Sequence, residues 1–144
     1  MSGWVVDASI AVKWLVDEPL SAAAALLLED EPVLMAPDLI YAEVANALWA
    51  AARRGRLSHA EVREALDLLA DAPLVVPATA KELMIAAAQL ASDLDHPVYD
   101  CLYLALAIRE QRPVVTADRR FHEKVAGHAY LSDRVALLGA GPPA

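Results

Sequence analysis

The stretch VVDASIAVKW, residues 5–14, decides how the rest of the chain is read. An apolar run suited to a buried strand leads straight into Asp7, the first acid of the chain, and a helical pattern takes over from Ser9. A buried carboxylate with no partner costs several kcal/mol, roughly, so its place at the end of a strand needs a reason.

Outward from that stretch, short apolar runs alternate with longer helical ones. Strands are expected at 4–6, 33–36, 74–76 and 113–116, with a fifth around 128–131. Helices are expected over 9–16, 20–29, 38–54, 58–71, 79–93, 97–111 and 118–125, most of them opening near Asp, Ser, Thr or Pro. Strands separated by helices long enough to serve as crossovers imply an α/β fold, a parallel sheet covered on both faces. In such a sheet ligands gather at the carboxyl ends of the strands, where the strand order reverses. Asp7 ends the first strand and Asp118 follows the fourth in VVTAD, so both are expected at that edge.

Length and composition set the frame. At 144 residues, 58% of them hydrophobic, the chain suits one domain over 1–138 with a frayed tail at 139–144, GAGPPA. Met1 to Val6 has neither the basic start nor the long apolar centre of a signal peptide, and charges or prolines interrupt every apolar run before membrane-spanning length. A cytoplasmic protein without membrane contact is expected. Cys101, the single cysteine, cannot form an internal disulfide, and no Cys/His spacing suits structural zinc. The net charge of −8 argues against holding nucleic acid by bulk electrostatics but leaves room for a bound cation.

Two further acids stand in apolar surroundings. In LIYAEVANALWAAA, residues 39–52, Glu43 is the only charge and Asn46 the only amide, which suggests a buried helix in which the amide, three residues on, could steady the carboxylate. In VYDCLYLALAI, residues 98–108, Asp100 is the sole charge. Each acid also has a local use: Asp7 and Asp118 as helix caps, worth about 1 kcal/mol, and Asp100 as a first-turn acid favouring the helix dipole. Glu43, inside an apolar helix with no basic residue within one turn, is hardest to explain that way. Neighbouring carboxylates at ~4 Å repel by about 4 kcal/mol at the effective dielectric near a protein surface, so several together call for a cation. Oxygen-only ligands favour Mg²⁺ or Mn²⁺, which can activate water and stabilise the oxygens of phosphodiester cleavage.

VVDAS, PDLIYAEVANALW, HPVYDCLYLALA and VVTAD, in that order over nearly the whole chain, resemble the PIN-domain ribonucleases, specifically the VapC toxins of type II toxin–antitoxin systems. The resemblance implies a three-layer α/β/α sandwich with a central parallel sheet of about five strands. It also implies a Mg²⁺- or Mn²⁺-dependent endoribonuclease, an RNA substrate, a homodimer and inhibition by a VapB-like antitoxin. The family's acidic quartet carries over onto Asp7, Glu43, Asp100 and Asp118 as catalytic residues and metal ligands. Ser9, Asn46, Thr116 and Arg119 fall where they can support those ligands or position the substrate.

The remaining polar residues have plainer uses. Arg53, Arg54 and Arg56 suit a helix C-terminus stopped at Gly55. His96 is expected to cap the helix that follows it, and no catalytic role is assigned to His59, His96, His122 or His128. Cys101 is expected to be a buried, inert thiol. Neither a GxSxG elbow nor a Gly-rich phosphate loop occurs. A receiver domain would want adjacent acids early in the chain and a Lys after the last strand. The nearer rival is a catalytically inactive PIN fold that binds a protein partner.

Overall fold

The structure, a computed structural model, describes residues 3–30 and 33–140. In chain order these form β1 (Trp4–Val6), α1 (Ala8–Leu15), α2 (Ser21–Asp30), β2 (Leu34–Met35), α3 (Leu39–Arg53), α4 (His59–Ala70) and β3 (Leu74–Val75). There follow α5 (Lys81–Leu94), α6 (Val98–Glu110), β4 (Val114–Thr116), α7 (Arg119–Ala126), a 3₁₀ turn at Ser132–Arg134 and β5 (Val135–Leu137). All five strands are parallel, in the order β3-β2-β1-β4-β5.

That order explains the layering. From β1 the chain moves outward to β2 and β3, and right-handed crossovers put α1 to α4 on one face. It then returns past β1 to β4 and β5, which puts α5 to α7 on the other. Accordingly α1 packs on α2, α3 and α4, while α5 packs on α6 and α6 lies against β1 and β4. The result is the expected α/β/α sandwich. Its strand order reverses between β1 and β4, where Val5 pairs with Val114 and Val6 with Val115.

Helix α6 is the centre of the core, with every residue from Cys101 to Ala107 buried. A helix apolar nearly all round has no face to give to solvent, and here only its ends, at Tyr99 and Arg109, are exposed. The same reasoning misplaced α3, whose sequence is as apolar. Only Ile40, Val44, Leu48 and Ala51 of α3 are buried, a stripe at helical spacing, whereas Tyr41 and Trp49 stand exposed. The amphipathic face of α3 is made by alanines and aromatics rather than by charges, so composition concealed it.

Local signals set the helix ends. Gly55, at φ +77°, stops α3, with Arg56 N–H bonded to the Ala51 carbonyl (3.0 Å) and Gly55 N–H to that of Ala52 (2.9 Å). Ser58 and Glu61 then form a reciprocal capping box at the start of α4.

The fifth strand is not at 128–131. That segment is a turn, with Tyr130 almost fully exposed, and the strand comes later at Val135–Leu137, paired with β4 from Val114↔Val135 to Thr116↔Leu137. HAYL offered an apolar run but no buried side for it; the chain must first clear the end of α7 before it can lie beside β4. Of the tail, residues 141–144 lie outside the described residues, and Gly139–Ala140 form a turn closed by Ala140 N–H on the Leu137 carbonyl (3.2 Å). Among the described residues no helix is long and apolar enough to cross a membrane.

Candidate active site

Asp7 sits where β1 hands over to α1, and it is buried, 5% exposed. Its Oδ1 caps α1 by accepting from Ile10 N–H (3.3 Å). Beside it, one strand over, Thr116 closes β4 and donates its hydroxyl to Asp7 Oδ2, while Ser9 donates to Oδ1. Those hydroxyls are themselves fixed by backbone: Ser9 Oγ accepts from Ala117 N–H (2.9 Å) and Thr116 Oγ1 from Asp118 N–H (3.0 Å). A hydrogen-bonded chain thus crosses the switch point between β1 and β4. Burial raises the Asp7 carboxyl from 3.8 to about 6; the two hydroxyls offset part of this, and the charge of Asp100 adds to it.

Glu43 and Asp100 reach the same end from α3 and α6. Tyr103, one turn after Asp100 and on the same face of α6, donates its phenol to Glu43 Oε1 at 2.6 Å. Burial raises the pKa of Glu43, Tyr103 offsets this and Asp100 adds to it. The Tyr103 phenol is held far above its ordinary value, first by burial and then by Glu43, so it stays a donor. Asp100 places Oδ2 2.6 Å from His96 Nε2. Asn46 lines a shallow cleft with Leu39, Ala42, Glu43 and Tyr99. Tyr103, and not Asn46, holds the Glu43 carboxylate.

Asp118 is exposed and serves as the N-cap of α7, its Oδ1 accepting from Arg120 N–H (2.9 Å) and Phe121 N–H (3.2 Å). It lines a second cleft with Ser9, Val12, Lys13, Ala47 and Ala117. Lys13 lies in that cleft but spends its charge nearby, on Glu18 (3.4 Å) and the Pro19 carbonyl (2.8 Å). Arg119 is exposed at the first position of α7.

Asp7 and Glu43 each feel the charge of Asp100 at this edge, while Asp118 is linked to Asp7 only by its backbone N–H on Thr116, its carboxylate turned to the start of α7. Capping accounts for where Asp118 sits. It does not account for Asp7, which is buried at a cost that one cap, worth about 1 kcal/mol, does not recover. Among the described residues no three acidic, imidazole or thiol groups already surround a common point. The second oxygen of Glu43, Asp100 and Asp118 takes no hydrogen bond from the described residues.

Two residues were missed in the sequence. Tyr103 is the second tyrosine of YDCLYLALA, and its spacing of three from Asp100 was the available signal. His96 does not cap α6, whose cap position is Pro97 without a side-chain hydrogen bond; the imidazole is buried against Asp100 instead. Cys101 is as expected, fully buried, its thiol pushed up to about 11 by burial. Arg53, Arg54 and Arg56 are exposed at the end of α3, with the Arg53 guanidinium 5.5 Å from the Trp49 ring centre.

Comparison with known proteins points the same way. The PIN domain family model matches residues 4–127. Ribonuclease VapC3 of Pyrobaculum aerophilum is 38% identical over 122 residues, 83% of this chain and 92% of that protein. Among solved structures, VapC20 of Mycobacterium tuberculosis, a toxin that cleaves the sarcin–ricin loop, superposes with a TM-score of 0.66 at 17% identity, covering 81% of this chain and 91% of that one. VapBC2 of Rickettsia felis, solved bound to a DNA fragment from its promoter, gives 0.66 at 14% identity, covering 94% and 98%. At those identities the two structures speak for the fold alone.

Proposed function

This chain belongs to the PIN-domain family, in its VapC group, and from that premise we propose that it is a metal-dependent endoribonuclease, the toxin of a toxin–antitoxin pair. The observation that carries the proposal is the buried Asp7 at the reversal of strand order, its carboxyl raised to about 6 by burial, with the charge of Asp100 contributing. Carboxylates that repel one another at the carboxyl edge of a parallel sheet suit a cation shared between them.

The residues fit Mg²⁺ or Mn²⁺ in kind. Asp7, Glu43, Asp100 and Asp118 would hold it, an all-oxygen set with no His or Cys ligand. When bound, such a cation polarises the scissile phosphate and lowers the pKa of a bound water. Every other contribution comes from the chain. Ser9 and Thr116 fix the two Asp7 oxygens. Tyr103 orients Glu43. Arg119, exposed next to Asp118, suits contact with an RNA phosphate, and Asn46 lies along the approach to Glu43. Because burial favours the protonated form of Asp7, activity should fall at acid pH.

An acidic protein gains little from bulk attraction to RNA, so local contacts through the cation and Arg119 must suffice. The partners we assign are a second copy of the chain and a VapB-like antitoxin, and the place of action is the cytoplasm. Tyr41 and Trp49 on α3, with Met84, Ile85 and Tyr99 on the α5–α6 side, give apolar area for such partners to cover.

The test is RNA cleavage by the antitoxin-free protein with Mg²⁺ or Mn²⁺ against chelator, alongside Asp7→Asn and Asp100→Asn. Cleavage should require the cation and vanish in both variants while their circular dichroism stays native. Cleavage that persists in chelator would remove the mechanism; no cleavage under any condition would leave a PIN fold that acts only by binding.

A further inference from the structure

His96 has a place in the fold that none of its neighbours explains. Asp95 leaves α5 in the left-handed conformation, φ +50°, and His96 N–H closes that stop on the Ala91 carbonyl at 3.2 Å. Pro97 then starts α6. The imidazole so delivered is buried, with Nε2 2.6 Å from Asp100 Oδ2. Its ring stacks on Phe121 of α7, centroids 5.3 Å apart and planes 27° from parallel. Phe121 N–H is in turn one of the two groups bonded to Asp118 Oδ1. One side chain therefore touches the carboxylate on α6 and the first turn of the helix that carries the other.

The backbone beneath it is pinned as well. The Cys101 thiol lies 3.8 Å from the His96 carbonyl, and Cys101 is fully buried. Among the described residues His96 Nδ1 is buried with no hydrogen-bond partner. An imidazole kept only for packing would not need a nitrogen aimed at a carboxylate, and one kept only for its polarity would not leave the other nitrogen unsatisfied. A carboxylate oxygen can only accept, so Nε2 carries a proton toward Asp100.

We propose that His96 is a positioning residue for Asp100: its Nε2–H engages one carboxylate oxygen and leaves the other turned toward the cation site, while its stack on Phe121 ties that orientation to the helix bearing Asp118. The inference rests on the function proposed above. Groups that orient a metal-binding side chain in this way typically change metal affinity by about 10- to 100-fold when removed.

The probe is Mn²⁺ alone, its affinity read from the electron paramagnetic resonance of the free ion with the full-length protein at fixed pH. His96→Phe keeps an aromatic ring against Phe121 but has no donor, and His96→Gln restores a donor without the ring. Mn²⁺ should bind about tenfold or more weakly to His96→Phe and within about threefold of wild type to His96→Gln, whichever of the two melts lower. Wild-type affinity in His96→Phe, or equal losses in both variants, would overturn the role. Asp100→Asn separates the two levels: Mn²⁺ lost there but unchanged in His96→Phe overturns this inference only, whereas Mn²⁺ unaffected by Asp100→Asn overturns the functional proposal beneath it. If His96→Phe does not fold, the imidazole ¹⁵N spectrum of the wild type decides. A proton on Nε2, with a resonance that moves in Asp100→Asn, supports the role, and an Nε2 without a proton contradicts it.

Discussion

Replacing Asp7 by Asn should make the cation-free protein more stable at high pH. The carboxyl has an ordinary value of 3.8 and is raised to about 6 in the fold, chiefly by burial. The native state therefore binds the proton more tightly than the unfolded chain. The stability linked to this group is fully present below 3.8 and is lost as pH rises through about 6, for a total of about 3 kcal/mol. Between pH 5 and pH 8 the same two values give a loss of about 1.4 kcal/mol. Asn removes the titration while keeping an acceptor oxygen, and the Ser9 and Thr116 hydroxyls can turn to accept from its amide. Urea unfolding followed by circular dichroism in chelator, for both proteins across that range, measures the difference. The gap in stability, variant minus wild type, should widen by about 1.4 kcal/mol toward pH 8. Parallel curves would refute the burial of an ionisable group at this position, and with it the electrostatic case for a cation.

Thr116→Val removes a hydrogen bond that holds the Asp7 pKa down, so the midpoint of the same titration should move above about 6; a chemical-shift titration of the Asp7 carboxyl carbon checks it. Leu104→Ala, inside the fully buried α6, should destabilise by about 3 kcal/mol in urea unfolding, within the range found for cavities left in a packed core.

How much of this could be read from the chain varies with the kind of signal. The parallel sheet and the place of Asp7 and Asp118 followed from apolar runs that end in acids, because strand direction and crossover handedness leave few arrangements. Helix ends were legible wherever a local rule sets them, as at Gly55 and Ser58. The fifth strand was not, since three apolar residues at 135–137 and three at 129–131 look alike until β4 is there to pair with one of them. Composition suggested two buried helices and the fold buries one, because alanines and aromatics can face solvent without a charge to announce it. The partners of the acids were hidden for a related reason. Glu43 and Tyr103 are 60 residues apart and lie on helices from opposite faces of the sheet, a pairing that only the tertiary fold creates. His96 and Asp100 are near in sequence, yet the left-handed turn at Asp95 that brings the imidazole inward carries no glycine to mark it.

Diffraction from crystals grown with Mn²⁺, with the anomalous signal of the ion recorded, tests the shared cation most directly. An anomalous peak bonded by Asp7 and at least two of Glu43, Asp100 and Asp118 is the expected result, with Ser9 and Thr116 still on Asp7. Mn²⁺ bound only elsewhere, or no ordered ion at these four acids in saturating Mn²⁺, would contradict it.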